Sequence, residues 1–247
     1  MFKILLFSLS IFLALETMAQ SNFLKFPKDS RILFQGDSIT DGGRGRNADP
    51  NHIMGHSYAI MVAAPTAAKF PEMNYTFLNR GISGNKITDL ETRWQKDTID
   101  LKPDYLSILI GVNDSATFVN QGKDALSAED FEKHYESLLQ STWKELQNVK
   151  IILCEPFVFD NPKLQGRFPA YKTENEKRRL IVEKLAKKYN LPFVRFQKMF
   201  EEAINKAPIE YWIWDGVHPT FAGHQLMADE WTKIVNEFIK KNNWKKK

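Results

Sequence analysis

The 247-residue chain holds a single cysteine, Cys154. One thiol excludes an internal disulfide and any zinc site built on several cysteines. Its place in the apolar string Ile151-Ile152-Leu153-Cys154 makes it an inert core thiol rather than a nucleophile. Long hydrophobic runs are also missing. The apolar stretch at 4–15 has twelve residues, whereas a membrane-spanning helix needs about 20. It follows Lys3 and precedes Thr17-Met18-Ala19, with small residues at −3 and −1, so 1–19 is expected to be a secretory signal peptide cut after Ala19. Charge of one sign is scarce too. Lys and Arg number 34 against 30 Asp and Glu, giving +4. Five of those lysines crowd the last eight residues, and without tail and leader the body holds slightly more acid than base. The tail reads as a solvated end, and no basic groove for nucleic acid is expected. There is no internal repeat, no low-complexity linker and no Walker lysine. Gly42-Gly43-Arg44-Gly45 is read as a mobile loop, not a phosphate cradle. With 43% hydrophobic and 26% charged residues the chain is not disordered. Residues 20–247 are expected to form one domain with a Lys-rich C-terminal tail, exported and soluble, secreted or periplasmic, with no stable membrane insertion.

What is present is an alternation of short apolar runs with amphipathic stretches. Strands are predicted at 31–35, 75–79, 105–110, 149–153 and 192–196. Helices are predicted at 58–69 (with a kink at Pro65), 88–101, about 127–146, 173–189 with Thr173–Glu176 as a capping box, 197–206, and 220 or 221 to 240. The segment 115–127 is read as a loop that follows no recognisable pattern and 48–56 is ordinary in composition; both are expected to border the substrate. The order implies an α/β fold: a parallel sheet with helices on both faces. In such sheets the site lies outside the carboxyl ends of the strands.

Four polar blocks stand at those ends: Gly36-Asp37-Ser38-Ile39-Thr40, Gly81-Ile82-Ser83-Gly84-Asn85, Gly111-Val112-Asn113-Asp114 and Asp215-Gly216-Val217-His218-Pro219. Any one alone could be an ordinary turn. Together they supply what acyl transfer needs. Ser38 is a candidate nucleophile, but a hydroxyl requires a base. His218 can be that base, because an imidazole is largely neutral at pH 7. Asp215, three residues earlier, can fix its tautomer. The backbone N–H of Ser38, that of Gly84 and the Asn113 amide can donate to an oxyanion. Trp212 and Trp214 can serve as sugar-stacking faces or as wall residues, and Arg44 as a substrate contact or a solvated arginine. Trp94 is read as core, His134 as surface and His224 as packed or capping. His52 and His56 lie four apart in a stretch whose Gly, Asn, Asp and Pro argue for a loop, so no metal site is expected. Nothing calls for a cofactor.

The four blocks resemble those of the SGNH-hydrolase family, the GDSL-type esterases and lipases, and span most of the chain. The longer strings FQGDSITDGGR, NRGISGNKITDLETRW and WDGVHPTFAGH are similar to a branch that contains bacterial acetylxylan esterases. The resemblance implies a three-layer α/β/α sandwich on a five-stranded parallel sheet, the flavodoxin-like SGNH fold. It implies a catalytic triad of Ser38, Asp215 and His218 and an oxyanion hole of Ser38, Gly84 and Asn113. The expected activity is hydrolysis of short acyl esters, acetyl foremost, on oligo- or polysaccharides such as xylan. A lysophospholipase or thioesterase of the same family, and a non-catalytic carbohydrate-binding protein, are the alternatives. The oligomeric state, homo-oligomer included, stays open.

Overall fold

The structure, a computed structural model, describes residues 24–47 and 49–241. The expected signal peptide at 1–19 and tail residues 242–247 lie outside them. Five strands, β1 (Arg31–Gly36), β2 (Thr76–Asn79), β3 (Tyr105–Leu109), β4 (Lys150–Cys154) and β5 (Phe193–Val194), form one sheet in the order β2-β1-β3-β4-β5. Every pairing is parallel.

The strands bury both faces, which is why they read as continuous apolar runs. Side chains alternate across the pleat. Ile32, Phe34, Ile152 and Cys154 join a core with Tyr58, Val62, Phe196, Phe200, Met227 and Trp231. Those partners come from α2 (Tyr58–Lys69), α7 (Phe196–Ala203) and α9 (Phe221–Lys240). Leu33, Ile151 and Leu153 face the other way, against Leu90, Phe131, Tyr135, Val182 and Leu185. These belong to α3 (Ile87–Trp94), α5 (Ala128–Glu145) and α6 (Phe168–Tyr189). The result is the three-layer sandwich expected. Trp94 is core, its indole N–H bonded to Thr142 Oγ1, and Cys154 is fully buried.

Three differences from the sequence reading have physical causes. The segment 115–127 is largely helical: α4 (Val112–Gln121) begins directly after β3 and a 3₁₀ turn, Gly122–Asp124, follows. Its Asn, Asp, Ser and Thr residues favour turns in isolation, which hid it. The sixth helix starts at Phe168, five residues before the supposed capping box. Pro169 sets its first turn, and Thr173 Oγ1 donates back to Pro169 O instead of capping. Past α3 the chain continues through a wide π-type turn, Gln95–Ile99, rather than a regular helix to 101. Pro65 sits inside α2 on its exposed side. Two four-residue helices, α1 (Ser38–Asp41) and α8 (Ile209–Trp212), complete the set among the described residues. None of the described helices is long and apolar enough to cross a membrane.

Candidate active site

The strand order reverses between β1 and β3, the switch point where α/β sheets open a crevice. Ser38 leaves the end of β1 there. Asp37 caps α1, its Oδ1 accepting from Ile39 N–H at 3.0 Å, so Ser38 is the first residue of that helix. The residue before Asp37 must be glycine: a Cβ on Gly36 would stand 2.3 Å from Leu109 O of the neighbouring strand.

The loop after β2 is tied down from several sides. Asn79 donates to Thr40 O at 2.7 Å and Met54 O at 2.9 Å, and its Oδ1 accepts from Gly81 N–H at 2.9 Å. Asp41 Oδ2 accepts from Ser83 N–H, Ser83 Oγ and Arg46 at 2.9, 3.0 and 2.6 Å. Burial pushes the Asp41 carboxyl up, but these hydrogen bonds outweigh it and hold it below its usual range. Arg93 donates to Asn85 Oδ1, Arg80 O and Gly36 O, stitching this loop to the end of β1. So fixed, Gly84 adopts φ +82°, a left-handed conformation natural to glycine, with open space where a Cβ would be. Asn113, in the first turn of α4, donates one amide hydrogen to Asn85 O at 3.1 Å. The other has no partner among the described residues.

The fourth block closes the crevice. Trp214–Thr220 folds as a tight loop held by a bridge between Ile213 and Pro219 and by Thr220, which caps α9. Asp215 Oδ1 accepts from the N–H groups of Val217 and His218, and Oδ2 from His218 Nδ1 at 2.7 Å. His218 Nε2 lies 2.9 Å from Ser38 Oγ. With its proton on Nδ1, the imidazole donates to Asp215 and offers Nε2 to the Ser38 hydroxyl. The hydrogen bond to Asp215 raises the His218 pKa; burial opposes it, and the Asp215 and Asp37 charges add to it. Burial pushes Asp215 up, yet the hydrogen bonds from the His218 ring and from the two N–H groups keep it low.

Two buried carboxyls flank the crevice and escape a reading of the sequence. Burial pushes Asp37 up to about 7, with the Ile39 N–H and the His218 charge working against it. Burial likewise raises Asp114 to about 6. Each has one oxygen with no hydrogen-bond partner. The Asp41–Asn79–Arg93 scaffold was equally hidden, since only distance in three dimensions marks it.

The remaining candidates fall in three places. Trp212 packs on the core and donates to Ala207 O, so it is a wall residue. Trp214 is half exposed, 6.3 Å from the His218 ring, with Lys163 Nζ 3.7 Å over its own ring. Arg44 is half-buried, its Nε bonded to Gly81 O beside the Gly84 turn. His52 pairs with Asp49 and His134 with Glu91, while buried His224 accepts the first N–H of α2 from Tyr58.

The description "GDSL-like Lipase/Acylhydrolase family" belongs to a family model that matches residues 34–226. An acetylxylan esterase of Geobacillus stearothermophilus is 33% identical over 212 residues, 83% of this chain and 93% of that protein. Its crystal structure superposes with a TM-score of 0.74 at 32% identity, covering 86% of this chain and 96% of that one. Catalytic mutants of that esterase replace a serine and an aspartate by alanine. A chain from Parabacteroides merdae, assigned as a GDSL-like lipase, superposes with a TM-score of 0.80 at 38% identity, covering 86% and 98%.

Proposed function

Since the chain belongs to the GDSL-like lipase/acylhydrolase family, we propose that it is a secreted serine esterase. It removes acetyl groups from plant-type oligo- or polysaccharides such as xylan. That it is an acyl esterase follows from the family and from the acetylxylan esterase relative. The serine mechanism is carried by one observation, the continuous chain Ser38 Oγ to His218 Nε2 (2.9 Å) and His218 Nδ1 to Asp215 Oδ2 (2.7 Å), and the acetyl-carbohydrate substrate is supported by the acetylxylan esterase relative. Export rests on the leader-like sequence at 1–19.

In this reading Ser38 Oγ attacks the ester carbonyl carbon while His218 Nε2 takes its proton. The developing imidazolium is stabilised by Asp215. The oxyanion is met by the N–H groups of Ser38 and Gly84 and by the free amide hydrogen of Asn113. Collapse breaks the bond to the sugar oxygen, which takes the proton from His218, and leaves acetyl on Ser38. Water then attacks that ester, gives its proton to His218, and acetate departs as Ser38 recovers its hydrogen. Trp214 at the rim offers an aromatic edge or face to the sugar.

The test is acetate release from acetylated xylo-oligosaccharides by wild type and Ser38→Ala, with a long-chain p-nitrophenyl ester as contrast. Release by wild type alone, with a drop of roughly 10⁴-fold or more in the variant, is the expected result. Turnover of only the long-chain ester would move the substrate to lipids and overturn the carbohydrate assignment. Sugar binding without turnover of either ester would overturn the enzyme assignment.

A further inference from the structure

Beside the oxyanion groups lies a cleft of about 340 Å³ that the triad does not use. It runs along one side of α4. Lys86, which borders it, directly follows Asn85, the acceptor of the Asn113 amide. Asp114 directly follows Asn113, and Thr117 Oγ1 donates to Asn113 O. Two of the lining residues, Lys86 and Asp114, are thus chain neighbours of the groups placed around the ester oxygen.

Its size is at the lower end of the roughly 300–1,000 Å³ of small-molecule sites. Its lining is unlike that of most such sites, which are mainly apolar. Lys86, Thr88, Asp114, Thr117, Gln121 and Asp124 contribute two hydroxyls, an amide, an ammonium and two carboxyls. Asp114 is 2% exposed, its Oδ1 accepts from Ile87 N–H, and its Oδ2 has no partner. A buried carboxyl oxygen left without a partner is costly unless a ligand or water supplies one. The charges argue against an ionic occupant. An anion would meet two carboxyls, and a metal cation would meet Lys86. A lining that mixes donors and acceptors, with one ammonium set against two carboxyls, suits a molecule carrying several neutral hydroxyls.

We propose that this cleft is a carbohydrate subsite that seats a neutral pyranose ring of the substrate next to the ester being cut. It deepens, and rests on, the esterase reading above.

The experiment is calorimetric titration of xylotriose, with cellotriose in parallel, into the wild-type protein and two variants. Ala125→Trp fills the cleft from its half-exposed wall, and Gln121→Leu with Asp124→Leu removes two exposed polar groups; none of these lies in the catalytic machinery. The expected result is sugar binding by wild type, weakened at least tenfold in both variants. KM for acetylated xylo-oligosaccharide should rise by a similar factor at unchanged kcat, with p-nitrophenyl acetate turnover unaffected. Cellotriose binding as tightly as xylotriose would widen the occupant to neutral pyranoses generally and still supports the subsite. Absence of sugar binding in wild type, unchanged affinity in both variants, or equal losses on both esters would overturn it. Sugar binding lost in the variants, with no ester turnover by wild type, would uphold the subsite and refute the esterase reading.

Discussion

The two sides of the crevice are built on different principles. On the His218 side the pair that matters is assembled within four residues: Asp215 bonds to groups two and three positions ahead of it. On the Gly84 side the loop has local ties, such as Gly81 N–H to Asn79 Oδ1, but it is anchored from far along the chain. Ser83 hangs on Asp41, 42 positions away, and Arg93 reaches Gly36 across 57. A short loop can orient a base because its own backbone N–H groups hold the carboxylate. A donor placed for an oxyanion must instead be fixed relative to Ser38, which only contacts between separate strand ends can do. The difference predicts that damage on the first side is chemical and damage on the second is both chemical and structural.

Asp215→Asn gives the sharpest contrast. Turnover should fall about 10⁴-fold through loss of the correct imidazole tautomer, while Tm measured by calorimetry hardly moves. The wild-type kcat/KM should rise with pH as His218 deprotonates, with a midpoint above the ordinary imidazole value of 6.5 because Asp215 raises it. In the variant the midpoint of the residual activity should shift down; an unmoved midpoint would detach Asp215 from the base.

Arg93→Ala should behave oppositely. It leaves Asn85 Oδ1, the Arg80 carbonyl and the Asp97 carboxylate without this donor, and Gly36 O with the Ile82 N–H alone. Such losses cost about 1–3 kcal/mol, which lowers Tm by several degrees, roughly 2–4 °C per kcal/mol at this size. We expect kcat to drop about tenfold as the Gly84 turn loosens, well below the ~10²–10³ typical of losing an oxyanion donor outright. Arg93→Lys should not restore it, since one ammonium cannot span the same acceptors. Equal Tm for Arg93→Ala and wild type would break the comparison.

The smallest effect concerns Asp37, which sits between the two sides. Its folded pKa of about 7 lies above the ordinary 3.8. The native state therefore holds its proton more tightly than the unfolded chain, and stability contributed by this group is full below pH 3.8 and lost as pH rises towards 7. Asp37→Asn keeps the cap of α1 and removes the titration. Its Tm should exceed that of wild type by a few degrees at pH 8 and by almost nothing at pH 4. A constant difference across that range would show that burial of the charge is not the cause.

The same contrast explains what the sequence could tell. The contact between Asp215 and His218 was legible because it spans a three-residue spacing, and the place of Ser38 because it follows a strand so apolar that its end is plain. Gly84 and Asn113 stand out through their blocks as candidate oxyanion donors, but the residues that tie them down do not. Asp41, Asn79 and Arg93 look like ordinary turn and helix residues until the strands are paired. The sheet itself could be read from runs buried on both faces, as in Tyr105–Leu109. Helix α4 could not, because its sequence is rich in residues that favour turns in isolation, and its Ala116 and Val119 find their apolar partners only in tertiary structure.

Ser38 and His218 are 180 positions apart, yet 2.9 Å separates Oγ from Nε2. During synthesis the chain that forms the centre of the sheet, β2-β1-β3, has all been made once residue 109 has emerged, and Ser38, the proposed nucleophile, then waits for a partner that the ribosome has still to make. Long-range closure of this kind comes late in folding. With the proposed triad, ester turnover is thus a clock that starts only when the chain has been made and folded as far as His218.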